Sequence, residues 1–156
     1  MREVEKVSLF DVKGQMKVNN ILYECGKYMA STYNLHHWDN SRFKNVIIIL
    51  LCLLKNDVFL VFDEGKEIAT FQTKKINDVL RFEKLATRPN CMSKGIGSFC
   101  LEEIEKQAKS KECKRIRMEV YSPSVHAVDF YIHRGFAIVG EKKTLKYSEF
   151  EMERKI

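Results

Sequence analysis

The chain has 156 residues, of which 45% are hydrophobic, 31% charged and 11% aromatic, with only two prolines and seven glycines. This is an ordinary globular composition, and it excludes disordered, collagen-like and low-complexity proteins. Because single domains usually contain about 100 to 200 residues, we expect residues 1–156 to form one domain around one hydrophobic core.

Cysteine use and hydrophobic segments indicate the compartment. The number of cysteines is odd and no two form a C-x-x-C pair, so we interpret all five as reduced thiols. The N-terminus lacks the basic-then-apolar layout of a signal peptide. The most hydrophobic segment, residues 46–54, is shorter than the roughly 20 residues of a membrane span, and we expect it to be buried core. These features predict a cytoplasmic protein without a membrane partner.

The net charge is +6, and +5 of it lies in residues 79–156. A basic half could serve nucleic acid, a membrane surface or a phosphorylated ligand. Its basic residues, however, alternate with glutamates at helical spacing, as in the pairs Glu102–Lys106 and Glu105–Lys109. Because such i,i+4 pairs are typical of a solvated helix face, we expect no nucleic-acid partner.

Hydrophobic periodicity predicts a mixed α/β chain in the first half. Apolar residues at three- and four-residue steps indicate an amphipathic helix after the first strand. An apolar run that Ser41 can cap indicates a second helix, with a buried strand as the alternative. Two β-rich runs around a glycine-containing turn at residues 63–66 indicate a hairpin. The predicted elements are a strand at residues 3–11, helices at 17–32 and 46–54, and strands at 58–62, 67–74 and 79–87.

Two helices and three strands are predicted in the second half. An apolar stripe that begins at Ile96 indicates a helix, and the alternation over residues 115–121 indicates a half-buried strand. Ser122 can cap the next helix, with Pro123 at its first position and Gly135 at its end. The buried stripe of that helix is expected to be Val125, Val128 and Ile132, and the last strands cover residues 136–140 and 147–154.

The segment between strand 79–87 and the helix that begins at Ile96 has the features of an anion-binding loop. Gly95 and Gly97 lack a Cβ and so let a ligand approach the backbone, where the free N–H groups of a helix start converge on an anion. Lys94 would add a positive charge. The segment has neither the Walker nor the Rossmann glycine spacing, and a helix start with flexible glycines is the alternative interpretation.

Two sequence blocks together match a known pattern. Residues 92–97 read Met-Ser-Lys-Gly-Ile-Gly, and residues 127–136 read Ala-Val-Asp-Phe-Tyr-Ile-His-Arg-Gly-Phe. They resemble the [QR]-x-x-G-x-[GA] loop and the A-x-x-F-Y-x-x-x-G-F block of the GNAT superfamily of acyl-CoA-dependent N-acyltransferases, with Met92 in place of the usual Gln or Arg. The resemblance implies a GNAT fold in the α/β (α+β) class, with about six to seven strands in a mixed central sheet and about four helices. Two parallel strands would splay apart to form the acetyl-CoA cleft.

The resemblance implies an acetyl-CoA site between strands 79–87 and 115–121. The end of the first strand would pair with the pantetheine amides like an added strand, and loop N–H groups would hold the pyrophosphate. Ser124 stands where relatives commonly carry Asn and keeps a hydrogen-bonding side chain. The implied cofactor-binding residues are Leu85, Ala86, Thr87, Met92, Ser93, Lys94, Gly95, Ile96, Gly97, Ser98, Ser124 and Tyr131.

The resemblance also implies two catalytic side chains. In such enzymes the amine attacks the thioester directly, and Glu83 matches a position where several family members carry a catalytic glutamate. A salt-bridged strand residue beside Arg81 and Lys84 is the alternative interpretation of Glu83. Tyr131 lies where the superfamily places its general acid for the departing CoA thiolate. A packed aromatic residue is the alternative interpretation of Tyr131.

Residues 33–40 usually wall the acceptor pocket in relatives, and here they are rich in aromatic and hydrogen-bonding groups. Tyr33, His37 and Trp38 are therefore expected to contact the substrate, with a loop packed by Trp38 as the alternative. His36 and His37 are adjacent and have no further His or Cys at ligand spacing, so we expect no metal.

The sequence therefore predicts an N-acetyltransferase that moves an acetyl group from acetyl-CoA to a primary amine in a ternary complex. The acceptor would be a small molecule or a peptide, and no sequence feature selects the amine. The alternative is a catalytically inactive GNAT-fold module that binds acyl-CoA as a sensor or interaction protein. Because the final strands of this fold often take part in dimers, a homodimer is a further expectation.

Overall fold

A seven-stranded mixed sheet organises the computed structural model, which describes residues 1–38 and 46–156. The sheet runs in the order β1-β2-β3-β4-β5-β7-β6, with one parallel pair, β4 and β5, at its centre. The strands are β1 (Arg2–Val7), β2 (Asp57–Asp63), β3 (Lys66–Ile76), β4 (Val79–Thr87), β5 (Arg115–Tyr121), β6 (Ala137–Lys143) and β7 (Ser148–Lys155).

Four α-helices among the described residues cover the two faces of the sheet, and each face has its own apolar cluster. One cluster contains Val18, Ile21 and Leu22 of the first helix, and the other contains Cys100 and Ile104 of the third. The architecture confirms the mixed α/β fold class and the expected number of strands. The helices are α1 (Val12–Tyr33), α2 (Val46–Lys55), α3 (Ile96–Ser110) and α4 (Val125–Ile132).

Turn chemistry sets the ends of the first strands. Glu64 and Gly65 have φ angles of 50° and 77°, so both adopt the left-handed conformation that a two-residue hairpin turn needs. The hairpin is therefore confirmed. The first strand, predicted to reach residue 11, ends at Val7 because the chain turns and Asp11 caps α1, its carboxylate accepting from the Gly14 N–H at 2.9 Å.

Helix α2 is less buried than its composition suggests. The expectation of a fully packed segment is wrong, because Ile47, Leu51 and Leu54 are 60%, 56% and 72% exposed while Ile49 is 1% exposed. Among the described residues, the helix packs mainly on α1 and β2, so that one stripe is covered and the other is exposed. The cap predicted at Ser41 lies outside the described residues.

Helix α4 also differs from its sequence-based description. Val128 is buried as expected, but Val125 and Ile132 are exposed, because the helix has only eight residues and one face of it meets the core. The residue that precedes α4 is Ser124, not Ser122, and its side chain makes no capping hydrogen bond. The Ser122 hydroxyl instead donates to a backbone carbonyl at the start of β7.

The charged face of α3 carries helical ion pairs, one of which differs from the expectation. Lys109 pairs with Glu105 at 2.9 Å, as predicted, whereas Lys106 pairs with Glu103 rather than Glu102. These lysines are exposed, and exposed ion pairs contribute little to stability because water screens them.

The structure also bears on the cysteines and on membrane-spanning helices. All five cysteines carry free thiols, and Cys25, Cys100 and Cys113 are buried. Within residues 1–38 and 46–156, no helix has the length and hydrophobicity that crossing a bilayer requires.

The two sides of α2 predict different responses to truncation. Ile49→Ala is expected to lower the free energy of unfolding by about 2–5 kcal/mol, because a buried side chain is lost and a cavity remains. Leu51→Ala on the exposed side is the matched control and should change it by less than about 0.5 kcal/mol. Urea denaturation of each variant and of the wild type measures both changes in the free energy of unfolding. A comparable loss for Leu51→Ala would contradict the description of an uncovered face.

Candidate active site

The central sheet opens where β4 and β5 separate. Their parallel pairing covers only the registers Val79–Arg115, Leu80–Ile116 and Arg81–Arg117, although β4 continues to Thr87 and β5 to Tyr121. Beyond this point, the edge of β4 that faces β5 has no strand partner among the described residues. An unpaired strand edge offers main-chain donors and acceptors to an extended ligand.

A β-bulge in β4 accompanies the separation. The pairing of β4 with β3 slips by one residue between Glu83 and Ala86, so that Lys84 and Leu85 share one partner. Lys84 has a φ of 51°, a left-handed conformation that is unusual for a residue with a long side chain. Because bulges bend and twist the strand that contains them, this one turns β4 away from β5.

A cavity of about 540 Å³ occupies the opening. It lies between β4, β5, the start of α3, α4 and the end of α1. Of the residues predicted from the sequence, Lys94 alone does not line the cavity, and its side chain is exposed. The predicted residues that line it are Tyr33, His37, Trp38, Glu83, Leu85, Ala86, Thr87, Met92, Ser93, Gly95, Ile96, Gly97, Ser98, Ser124 and Tyr131.

The two loop glycines meet different structural needs. Gly95 precedes α3 with a φ of 73°, and an added Cβ would meet nothing within 4 Å, so only its backbone conformation calls for glycine. At Gly97 an added Cβ would lie 2.9 Å from Cζ of Phe130, so this glycine allows α4 to pack close to α3. The residues at the start of α3, whose first N–H groups have no acceptor within the helix, line the cavity.

Arg134 brings a positive charge to this loop. Its guanidinium donates to Ser98 Oγ at 2.6 and 3.1 Å and lies 3.6 Å from the centroid of the Phe130 ring. It lines the cavity, yet the sequence analysis gave it no role. The available signal was its place within the second sequence block, residues 127–136.

Tyr131 lies in a cage of phenylalanine rings and is 8% exposed. Its ring centroid is 6.0 Å from that of Phe82, 5.7 Å from that of Phe136 and 5.1 Å from that of Phe130. Burial raises the pKa of the Tyr131 phenol well above its usual range, because the phenolate would lose its hydration. Tyr131 therefore keeps its proton at physiological pH.

Glu83 is held as a carboxylate by two neighbours. Its Oε1 accepts from Asn56 Nδ2 at 2.6 Å and from Lys84 Nζ at 3.2 Å. The Asn56 amide also donates to Oε1 of the buried Gln72 at 3.0 Å. Burial by itself would raise the pKa of Glu83, but the Lys84 ammonium and the Asn56 hydrogen bond outweigh it and lower the pKa. Glu83 is thus both salt-bridged and open to the cavity.

Aromatic pairs join the α1 side of the cavity to the β5–α4 side. Tyr33 stacks on His126, and His37 stacks on Tyr121, each with ring centroids 4.2 Å apart. Trp38 follows directly, and its carbonyl lies so close to α1 that a Cβ at Gly26 would be 2.6 Å from it. His37 and Trp38 therefore lie against α1 and form part of one wall of the cavity.

His37 is neutral in this wall. Burial, with a smaller contribution from the charge of His126, lowers the pKa of His37 to about 4. Its Nδ1 is buried and has no hydrogen-bond partner among the described residues. The imidazole therefore offers an uncharged polar atom at physiological pH.

Two carboxylates that the sequence analysis missed, Glu119 and Glu149, also line the cavity. Glu119 accepts from Lys142 at 2.6 Å and from Arg81 at 2.7 Å. Burial opposes the ionisation of Glu119, but hydrogen bonds with Lys142, Glu149 and Arg81 outweigh it and lower the pKa of Glu119 to about 2. Burial and the nearby Glu119 raise the pKa of Glu149. Of the two carboxyl groups, Glu149 is therefore the first to take up a proton as the pH falls.

The histidines and acidic residues do not form a metal site in the part of the chain that the structure describes. No group of three or more His, Cys, Asp or Glu side chains gathers there as ligands. Nε2 of His36 lies 2.8 Å from Oδ1 of Asn34, so this ring is engaged in the loop itself.

Replacing Lys84 by methionine is expected to raise the pKa of Glu83. The substitution removes the ammonium that favours the carboxylate and leaves the burial that disfavours it. Titration of the carboxyl carbons by NMR, assigned with a Glu83→Gln variant, measures the shift. Lys106→Met, which removes an exposed partner of Glu103, is the control and should leave Glu83 unchanged. An unaltered pKa in Lys84→Met would contradict the pairing described here.

Comparison with known proteins connects this geometry to a family. The model of the acetyltransferase (GNAT) family matches residues 19–136 of the chain. The uncharacterized protein YdhI of Bacillus subtilis (strain 168) is 29% identical over 113 residues, which are 72% of this chain and 69% of YdhI.

Solved structures share the fold over the whole chain. PaiA N-acetyltransferase from Thermoplasma acidophilum, in complex with coenzyme A, aligns with a TM-score of 0.81 and 20% identity, over 100% of this chain and 99% of that one. A GNAT family acetyltransferase from Elizabethkingia anophelis with acetyl-CoA bound aligns with a TM-score of 0.75 and 12% identity, over 99% of this chain and 98% of that one. The ribosomal-protein-S18-alanine N-acetyltransferase of Escherichia coli aligns with a TM-score of 0.71 and 17% identity, over 100% of this chain and 94% of that one. The family model and the shared fold agree with both sequence blocks, and the chain belongs to the GNAT family of acetyltransferases.

Proposed function

We propose that this acetyltransferase uses acetyl-CoA to acetylate a primary amine in the cleft between β4 and β5. One observation carries the proposal: the end of β4 beyond its pairing with β5, the first residues of α3 and Tyr131 all line the same cavity. These are a strand edge, an anion-binding backbone and a proton donor. Related folds that hold coenzyme A or acetyl-CoA support this choice of donor.

In this proposal the donor lies along β4 with its pyrophosphate at α3. The free N–H groups of Ile96, Gly97 and Ser98 bind the pyrophosphate, and Arg134 adds a cation beside them. Met92 contributes no side-chain donor, so backbone groups supply most of the binding. The pantetheine amides pair with Leu85, Ala86 and Thr87. Ser93 and the buried Ser124 supply hydroxyl groups, and the exposed Lys94 supplies a nearby positive charge.

The reaction forms a nitrogen–carbon bond and breaks the carbon–sulfur bond of the thioester. Attack by the neutral amine places negative charge on the carbonyl oxygen, and a backbone N–H on the free edge of β4 stabilises it. Holding the amine and the thioester in one cavity supplies a further part of the rate. The nitrogen loses one proton and the CoA thiolate gains one, so the proton balance closes within the site.

Glu83 and Tyr131 are proposed to handle these protons. Glu83 is ionised at neutral pH, so it can accept the amine's proton, directly or through water, although its lowered pKa makes it a weak base. Tyr131 has a raised pKa and donates to the departing sulfur. The amine itself would enter past Tyr33, His37 and Trp38, whose rings form the opposite wall.

Tyr131→Phe is expected to slow acetyl transfer by about 10²–10⁴-fold, the usual contribution of a positioned acid. Acetyl-CoA binding should stay within about twofold, because the phenyl ring keeps the contacts with the surrounding phenylalanines. Release of free thiol in the presence of a panel of amines measures the rate, and calorimetry measures binding. Full activity in the variant would remove Tyr131 from the mechanism. Binding by the wild type without turnover on any amine would favour the inactive acyl-CoA-binding module.

Gly95→Ala is expected to weaken acetyl-CoA binding by about tenfold or more, because the loop must leave the left-handed conformation or bear about 1–2 kcal/mol of strain. Gly65→Ala is a matched control. Gly65 has a φ of 77° against 73° for Gly95, and an added Cβ at either position meets nothing within 4 Å. Both variants should lose similar stability, and only Gly95→Ala should lose affinity. Equal affinities would contradict the assignment of the loop.

A further inference from the structure

Arg2, on the first strand of the chain, contacts the loop that begins α3. Its Nη2 donates to the carbonyl of Lys94 at 2.7 Å, and its Nη1 lies 3.4 Å from the carbonyl of Gly95. Neither Arg2 nor Lys94 lines the cavity, whereas Gly95 does. Arg2 therefore reaches the loop from the side that faces away from the cavity.

The position of Arg2 determines where a loop N–H points. The peptide bond is planar and trans, so the carbonyl of Lys94 and the N–H of Gly95 point in opposite directions. Because Arg2 binds that carbonyl behind the loop, the Gly95 N–H is directed towards the cavity. The Gly95 carbonyl is likewise engaged, since it also accepts from the Phe99 N–H at 3.0 Å, and the Ile96 N–H points away from it.

Arg2 is itself held in this orientation. Its Nε is 3.7 Å from a carboxylate oxygen of Asp63, the residue paired with it across β1 and β2. Its guanidinium carbon also lies 5.7 Å from the centroid of the Phe99 ring on α3. With 28% of its side chain exposed, Arg2 links the edge of the sheet, the loop and the helix.

We propose that Arg2 is a positioning residue for the pyrophosphate of the acyl donor. It does not touch the ligand; it fixes the peptide that presents the Gly95 N–H, and it adds a positive charge behind an anionic group. This role rests on the proposed function. It also compensates for Met92, which supplies no donor from within the cleft.

Arg2→Gln tests the inference, because glutamine keeps a polar side chain but is too short to reach both carbonyls. We expect its acetyl-CoA affinity to fall about tenfold, the equivalent of one charge-assisted hydrogen bond. Its affinity for acetyl-pantetheine, which has the thioester and the amides but no pyrophosphate, should match that of the wild type. Calorimetry measures the first ligand and NMR titration the second, weaker one. Asp63→Asn, which weakens the pairing of Arg2 but leaves both carbonyl contacts, should bind acetyl-CoA within about threefold of the wild type.

The outcomes separate this inference from the proposed function. Unchanged acetyl-CoA affinity in Arg2→Gln would overturn the positioning role, and so would an equal loss for both ligands, which indicates general damage to the fold. Arg2→Lys keeps the charge and one donor, and an intermediate affinity would support the role if the glutamine variant does not fold. A wild type that binds acetyl-CoA no more tightly than acetyl-pantetheine would overturn this inference alone, because acetyl-CoA would remain the donor while its pyrophosphate contributed no binding. A wild type that binds neither would overturn the proposed function and this inference with it.

Discussion

The separation of β4 from β5 is the constraint on which the rest of the site depends. Two parallel strands at the centre of a sheet would ordinarily pair along their full length, and here they pair for three registers only. The bulge at Lys84 bends β4 while its other edge stays bound to β3, so the opening is held by the sheet itself. The strand end, the α3 loop and the Tyr131 ring then surround one space because all three adjoin that opening.

Charge is distributed unevenly around this space. The loop presents backbone N–H groups with Arg134 beside them and Arg2 behind them, and this part suits an anion. Elsewhere the wall contains Glu83, Glu119 and Glu149, of which Glu83 pairs with Lys84 and Glu119 with Lys142. A donor with a pyrophosphate and an acceptor with an amine have the matching polarities. The charges around the cleft thus suit both reactants of the proposed reaction rather than either one alone.

The sequence predicted those parts of the molecule that depend on neighbouring residues. Helical spacing located the buried stripe of α1, and alternation located β5. Of the site residues that the family resemblance implied, all but Lys94 line the cavity. The sequence did not predict the exposure of Leu51 or Val125, because periodicity records where apolar residues lie and not whether another element covers them.

The residues that sequence reasoning missed come together only through the folded sheet. Arg2 and Lys94 are 92 positions apart, and no local pattern connects them. Glu119 and Glu149 lie on adjacent strands, β5 and β7, which are joined through α4 and β6 rather than directly. Their mutual effect on pKa follows from strand order, which a single sequence does not encode in any short motif.

Hydrogen–deuterium exchange with and without acetyl-CoA tests the central claim most directly. The N–H groups of Ile96, Gly97 and Ser98 have no acceptor within α3. The free edge of β4 has no strand partner within residues 1–38 and 46–156. Both segments should therefore exchange rapidly in the free protein. The account predicts that acetyl-CoA slows exchange at residues 83–87 and 95–98 and leaves the exposed side of α2 unchanged. Unaltered exchange at both segments, or protection confined to another part of the molecule, would contradict it.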